Sequence, residues 1–167
     1  DLAEAAYACT LCGNCMTQCG ATDRETAEPL VDTLRIVEAL REDLLRMHPE
    51  WVDAGYRSLL AATGQYQNPW AVPRSARDKW CKGLNLTSAS HAQSEVLLFV
   101  GCTIASMPEM HGLARKAVSI PQQAGVSVRI LGRDEPCCGS VQRRIGATDM
   151  ARDMQTRNIA LLNQTGC

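Results

Sequence analysis

The chain has 167 residues, with 17 Lys and Arg against 18 Asp and Glu, which gives a formal net charge of −1. This balance, without a basic run, argues against nucleic acid as the main partner. Apolar residues make up 46%, enough for a packed core in one domain or two small ones. The nine cysteines lie in tight groups that are typical of metal ligation, so we expect a reducing compartment, the cytoplasm.

The sequence carries no pattern of a signal peptide or a membrane span. Its N-terminus is acidic and lacks a basic segment followed by an apolar one. The longest apolar run, residues 96–105, covers about half a bilayer. We expect membrane association only through a partner subunit. Since the chain begins at Asp1 and ends at Cys167, we also expect it to be an internal part of a longer protein.

The first chemical signal is a cysteine motif that follows a predicted short helix, Leu2–Ala8. Its spacing, C-x₂-C-x₂-C-x₃-C, is the one with which bacterial ferredoxins hold a [4Fe–4S] cluster. A zinc site would need a second pair of cysteines farther along the chain, and a disulfide cluster suits small secreted proteins. The predicted cluster ligands are Cys9, Cys12, Cys15 and Cys19.

Two details of this motif matter for its chemistry. Gly13 allows the backbone to approach the cluster sulfides and leaves N–H groups to hydrogen-bond them. The fourth cysteine, Cys19, tends to face away, and it ligates either this cluster or a neighbouring one. Gly20 stands where the ferredoxin pattern has proline.

The next segment is predicted to form helices joined by turns. Apolar residues at steps of three and four predict a helix with Pro29 in its first turn and an end at His48-Pro49, and core packing is favoured over a docking role for its apolar face. Helices are also predicted from Trp51 to Ala62, ending before Gly64, and from Ser75 to Lys82. The residues of the apolar face are Leu30, Leu34, Val37, Leu40, Leu44 and Met47.

The character of the chain changes after residues 87–94, which are small and polar. Continuous apolar runs predict buried strands at Glu95–Val100 and Val126–Leu131, and helical patterns follow each strand. The order β-α-β-α indicates a parallel α/β unit. The predicted fold is therefore α+β and multidomain, with a helical ferredoxin-type domain (1–86), a linker (87–94) and an α/β domain (95–167). The predicted helices of the second part are Pro108–Gln123 and Ala147–Asn163, the latter with Met150, Met154, Ile159 and Leu162 toward the core.

Three more cysteines follow these two strands. Cys102 comes after the first strand, and the Cys137-Cys138 doublet comes after the second. Because loops at the carboxyl ends of adjacent parallel strands converge, we expect these cysteines to meet in space. The alternative for Cys102 is a buried apolar side chain. Glu135, beside the doublet, is predicted to be an exposed loop charge.

The residues around these cysteines resemble the cysteine-rich CCG domain of heterodisulfide reductases and related iron–sulfur oxidoreductases. The 34 residues between Cys102 and Cys137 fall inside the range of that family. The family's closing C-x₂-C and its first ferredoxin motif are absent from these 167 residues, so we expect the CCG domain to be truncated. The matching segments are Val100-Gly101-Cys102, Leu131–Gly139, Ala124-Gly125-Val126, Arg144-Ile145-Gly146, Asn158-Ile159, Ala6–Cys12, Asn68-Pro69-Trp70, Trp80 and Gly83-Leu84.

The resemblance implies electron transfer from a [4Fe–4S] cluster to a second, non-cubane iron–sulfur cluster in the CCG domain, with Cys102, Cys137 and Cys138 among its ligands and as the catalytic site. It further implies partner subunits that carry a flavin, a ferredoxin-type cluster, or a membrane quinone or haem site. Neither Cys81 nor Cys167 matches a ligand position of the family.

Three functions stay open at this stage. The first is an oxidoreductase subunit that acts on a disulfide or thiol substrate. The second is an electron-relay subunit of a flavin- or quinone-linked dehydrogenase of the glycolate, lactate or glycerol-3-phosphate type, or of a membrane redox complex. The third is a scaffold in which bound metal only stabilises small domains.

Overall fold

The computed structural model describes residues 1–84, 86–88 and 94–166, so five residues of the predicted linker, 89–93, lie outside the described residues together with Asn85 and Cys167. Within the described part the protein is mostly helical, with one small parallel sheet. The helices are α1 (Leu2–Ala8), α2 (Asn14–Thr17), α3 (Thr33–Met47), α4 (Ala54–Tyr66), α5 (Cys102–Ser106), α6 (His111–Gln123), α7 (Ser140–Ile145) and α8 (Thr148–Asn163). The strands are β1 (Thr87–Ser88), β2 (Val96–Leu98) and β3 (Val128–Ile130).

The chain divides into two compact units that differ from a simple split along the sequence. One unit holds residues 1–57 and 140–151, and the other holds residues 58–139 and those from 152 onward. None of the described helices is both long and apolar enough to cross a bilayer. The predicted domain limits at 1–86, 87–94 and 95–167 stay a prediction.

In the first unit, α1 packs on α3. Helix α1 has the predicted bounds, because Asp1 caps it by accepting from the N–H of Glu4 in a capping box. Helix α3 begins at Thr33 and not beside Pro29, because the Asp32 side chain caps it by accepting from the N–H of Arg35. The small core consists of Ala3, Ala6 and Leu44, with Tyr7 and Leu40 against it, whereas Leu30 and Met47 of the predicted apolar face are exposed.

Arg41 ties this unit together from the middle of α3. Its buried guanidinium donates to the carbonyls of Ala6, Cys9 and Arg144, so it connects the end of α1, the start of the cysteine loop and α7. The chain leaves α7 at Gly146, where φ is +103° and a Cβ atom would collide with the backbone of Arg41. Glycine is therefore required for α7 to pack against α3.

The second unit is built around a parallel sheet in the order β1-β3-β2. Strands β2 and β3 pair in register from Val96 with Val128 to Leu98 with Ile130, and α5 and α6 connect them. This confirms the predicted parallel β-α-β arrangement, although the strands are shorter than expected. The core between the sheet and the helices is formed by Trp80, Ala105, Ala114, Val118 and Ile130.

Several boundaries differ from the sequence prediction. Helix α4 continues through Gly64 to Tyr66. One glycine costs a helix only about 1 kcal/mol relative to alanine, which contacts elsewhere in the helix can outweigh. Residues 74–81 form two short 3₁₀ turns in place of one helix. In α8, Ile159 is exposed while Ala151 and Asn158 are buried, so its core face is narrower and more polar than predicted.

Candidate functional site

The N-terminal cysteine motif forms a loop between α1 and α3. Cys12 and Cys15 are exposed, and Cys9 and Cys19 are partly buried. Gly13 has φ +79° and precedes α2, so the loop turns between the second and third cysteines at a residue without a side chain. Among the described residues, no three Cys, His, Asp or Glu side chains surround a common point in the manner of a preformed metal site.

The loop nevertheless offers donors that stabilise thiolates. The backbone N–H of Asn14 and the hydroxyl of Thr10 lower the pKa of Cys12 below its ordinary value. The N–H of Leu11 donates to the Cys9 sulfur at 3.4 Å, and the Cys15 sulfur lies 2.8 Å from the hydroxyl of Thr33. Four thiols on a turn rich in such donors fit an iron–sulfur cluster chemically, and this assignment stays a prediction.

The second site lies at the carboxyl ends of β2 and β3. Cys102 is the first residue of α5, which follows β2, and Cys137 lies in the loop that follows β3. Both side chains are buried, and their sulfur atoms are 3.8 Å apart. The structure therefore brings the thiols of Cys102 and Cys137 together, and the exposed thiol of Cys138 is a further hydrogen-bond partner of Cys137.

The distance between these sulfurs is informative about metal binding. Two thiolates that share one tetrahedral metal about 2.3 Å away lie roughly 3.8 Å from each other. The observed 3.8 Å is thus the edge length of a tetrahedral dithiolate site. The same distance is also that of two hydrogen-bonded thiols, so the donor chemistry and spacing of the pair suit a shared metal, and the assignment of a centre to it stays a prediction.

The two thiols differ in acidity. When Cys102 ionises, the thiol of Cys137 is its hydrogen-bond donor, and this bond together with the charge of Arg77 lowers the pKa of Cys102 to about 7 despite its burial. The same bond raises the pKa of Cys137. The shared hydrogen bond therefore makes Cys102 the more acidic thiol of the pair.

Glu135 is not the exposed loop charge that the sequence suggested. It is 3% exposed, and its carboxylate accepts from the N–H of Val100 at 2.9 Å and of Gly101 at 2.7 Å. Burial raises its pKa, while these two N–H groups and Arg77 oppose that shift. The prediction was wrong because the loop folds back onto the end of β2, which no local pattern reveals.

Three residues make polar contacts around this site, and the sequence analysis gave none of them a role in it. The side-chain amide of Asn158, in α8, donates to the carbonyl of Cys137 at 2.9 Å. The indole of Trp70 donates to the hydroxyl of Thr103, next to Cys102, at 3.0 Å. Arg77 lies beside Glu135 with almost no exposed surface. Asn158 and Trp70 belonged to the family resemblance, but Arg77 carried no signal.

Cys81 lies elsewhere in the same unit. It lines a cavity of about 310 Å³ beside Asp78 and Leu131, and its thiol donates to the carbonyl of Asp78 at 2.9 Å. Burial raises the pKa of Cys81. Cys81 is thus a partly buried thiol, and its lack of a ligand role stays a prediction.

Comparison with known proteins identifies the family of the C-terminal residues and several relatives of the chain. The family described as a cysteine-rich CCG domain matches residues 96–167. A subunit of the dihydromethanophenazine:CoB–CoM heterodisulfide reductase of Methanosarcina barkeri is 28% identical over 165 residues, which are 96% of this chain and 36% of that protein. No solved structure matches the chain significantly.

Two further relatives are oxidoreductases of other kinds. The EtfAB:quinone oxidoreductase of Syntrophomonas wolfei is 24% identical over 98% of this chain, and the probable iron-sulfur-binding oxidoreductase FadF of Bacillus subtilis is 24% identical over 94%. The chain spans about a third of the length of the Methanosarcina protein and 22% of each of the other two. Residues 96–167 are therefore a CCG cysteine-rich domain, and the chain is a distant homologue of this heterodisulfide reductase component and of related iron–sulfur oxidoreductases.

Proposed function

We propose that the chain is part of an iron–sulfur subunit of an oxidoreductase that acts on a disulfide or thiol substrate at its CCG domain. The observation that carries this proposal is the buried pair of Cys102 and Cys137, with sulfurs 3.8 Å apart at the ends of two parallel strands. Two thiols at this place and distance can share one metal or iron–sulfur centre.

The two cysteine groups have distinct roles in this proposal. Cys9, Cys12, Cys15 and Cys19 hold a [4Fe–4S] cluster that relays electrons, and Cys102, Cys137 and Cys138 hold a second iron–sulfur centre at which the substrate reacts. When bound, these clusters supply one-electron chemistry that cysteine side chains lack. The thiols of this chain bind the irons, and the N–H donors around Cys12 favour its ligating, ionised form.

The overall reaction balances in electrons and protons. Cleavage of a disulfide consumes two electrons and two protons and yields two thiols. The electrons come from a reduced partner subunit that carries a ferredoxin-type cluster, a flavin, or a membrane quinone or haem site. We place the complex in the cytoplasm, with any attachment to a membrane made by the partner.

The similarity to two other oxidoreductases supports a second candidate function, electron relay. The EtfAB:quinone oxidoreductase and FadF match nearly the whole chain, as the Methanosarcina protein does. In this alternative the same cysteines relay electrons between a flavin partner and a quinone, and no disulfide reacts at Cys102. The substrate chemistry then lies outside the residues of this chain.

One experiment separates these functions. The protein is reconstituted with iron and sulfide under anaerobic conditions, reduced, and mixed with a small-molecule disulfide in a single turnover, followed by thiol release and EPR. We expect thiol release and a new EPR signal that both disappear in Cys102→Ser and persist in Cys81→Ser. Reoxidation by a quinone analogue with no thiol release would favour the relay function.

A further inference from the structure

Arg77 is a buried cation whose hydrogen-bonding capacity is unused. Its side chain is 1% exposed, and within the described part of the chain none of its three nitrogens, Nε, Nη1 and Nη2, has a hydrogen-bond partner. A guanidinium group has five N–H donors, and each buried donor without an acceptor costs free energy of folding. Such a group in a native protein requires an explanation.

The neighbouring carboxylate of Glu135 does not accept hydrogen bonds from Arg77. Nη2 of Arg77 lies 3.8 Å from Oε1 of Glu135, which is ion-pair distance but too long for a hydrogen bond. The two oxygens of Glu135 already accept from the N–H groups of Val100 and Gly101. A buried ion pair without hydrogen bonds does not recover its desolvation cost, so the donors of Arg77 need another acceptor.

The position of this pair points to the acceptor. Glu135 comes two residues before Cys137, and it holds the backbone of Val100 and Gly101 directly before Cys102. Arg77 lies 3.8 Å from this carboxylate, so it stands beside the two loops that carry Cys102 and Cys137. A group of thiolates and sulfides at this position would supply the sulfur acceptors and negative charge that Arg77 lacks.

We propose that Arg77 is a positioning residue of the CCG centre, which donates hydrogen bonds to its sulfur atoms and stabilises its reduced, more negative state. This inference rests on the proposed function, because it needs a centre held by Cys102, Cys137 and Cys138. Hydrogen bonds to sulfur and nearby charge are two of the levers that set the potential of such centres. Arg77 therefore makes the centre easier to reduce.

The test is a redox titration of the reconstituted protein, monitored by EPR, with Arg77→Met compared with the unchanged chain. We expect the midpoint potential of the CCG centre to become more negative in Arg77→Met, because a positive charge near the reduced state is lost. Arg77→Lys should recover part of the shift, since it keeps the charge but loses the planar fork of donors. If Arg77→Met does not fold, Arg77→Gln replaces it, with the same expected direction.

The chain provides two matched controls. Arg74 is three residues away and half-exposed, and it pairs with Asp134, so Arg74→Met removes the same charge and should leave the potential unchanged. The cluster held by Cys9, Cys12, Cys15 and Cys19 serves as an internal reference in every sample, and its potential should not move.

The outcomes are distinct. If the CCG centre assembles normally in Arg77→Met and keeps its midpoint potential, this inference is overturned and the proposed function is not. The inference is also overturned if only the KM for an anionic disulfide changes, because Arg77 would then be a substrate contact. If Arg77→Met folds but loses the CCG centre, whereas Arg77→Lys keeps the iron of that centre, the inference is supported. Absence of any centre that depends on Cys102 in the unchanged protein would overturn the proposed function and this inference with it.

Discussion

The sulfur atoms of Cys102 and Cys137 lie 3.8 Å apart although 34 residues separate the two cysteines in the sequence. Each follows a strand of the same parallel sheet, and the pairing of Leu98 with Ile130 brings the two strand ends side by side. Neither loop needs to be long to place its thiol at the common edge. This geometry follows from the general rule that the carboxyl ends of adjacent parallel strands form sites.

The proximity predicts a specific oxidation product. When the metal-free protein is treated with diamide, the thiols of Cys102 and Cys137 should form one disulfide while diamide takes up two electrons and two protons. Peptide mass mapping under non-reducing conditions identifies the linked pair. Cys81→Ser should leave the product unchanged, and a dominant link from Cys137 to any cysteine other than Cys102 would contradict the geometry.

The ferredoxin-type motif predicts a loss of iron on substitution. Cys12→Ser should remove or destabilise one cluster of about four irons, because a hydroxyl is a poor replacement for a thiolate ligand. The measurement is iron and sulfide content together with the EPR spectrum of the reduced protein. Cys81→Ser is the matched control, and iron content and EPR signals that do not change in Cys12→Ser would refute the assignment.

Gly146 is expected to be intolerant of any side chain. Gly146→Ala should lower the free energy of unfolding by about 2 kcal/mol or more, because φ is +103° and the added Cβ meets the backbone of Arg41. Urea denaturation followed by circular dichroism measures the change. Gly64→Ala, in α4 with no neighbouring atom within 4 Å, should instead stabilise the protein by about 0.5–1 kcal/mol.

Asn68 holds the loop that carries Trp70. Its buried amide donates to the carbonyls of Tyr66 and Val72 and accepts from the N–H groups of Trp70 and Val72. The loop also contains two residues with positive φ, Gln67 at 57° and Ala71 at 55°, so it depends on these bonds for its shape. Asn68→Ala should therefore cost about 2–4 kcal/mol in the free energy of unfolding.

The control for this prediction is Asn163→Ala at the exposed end of α8, which should change stability by less than about 0.5 kcal/mol. The indole of Trp70 bonds to Thr103 in the folded protein, so in a variant with Trp51 and Trp80 replaced by Phe its fluorescence reports whether the loop keeps its place beside Cys102. A native stability and an unchanged fluorescence spectrum in Asn68→Ala would show that the four bonds are dispensable.

The features that were predictable are those determined by short-range pattern. The spacing of Cys9, Cys12, Cys15 and Cys19 indicates a cluster motif without reference to the fold, and the alanine-rich segment Leu2–Ala8 predicted α1. Continuous apolar runs before Cys102 and before the doublet indicated two parallel strands, and that order was enough to predict the meeting of Cys102 with Cys137.

Other features depend on contacts between segments that are distant in sequence. Glu135 and Arg77 have no apolar pattern around them. Glu135 is buried where the β3 loop packs on the end of β2, and the buried Arg77 lies 3.8 Å from it. Helix α7 was likewise not predicted from the sequence, because its position depends on contacts with Arg41 and on Gly146. The sequence by itself determined which cysteines are candidate ligands and that β2 and β3 lie side by side, since both follow from local spacing. Only the tertiary structure decided which charges are buried beside those thiols, because burial is a property of all the chain segments that surround a residue.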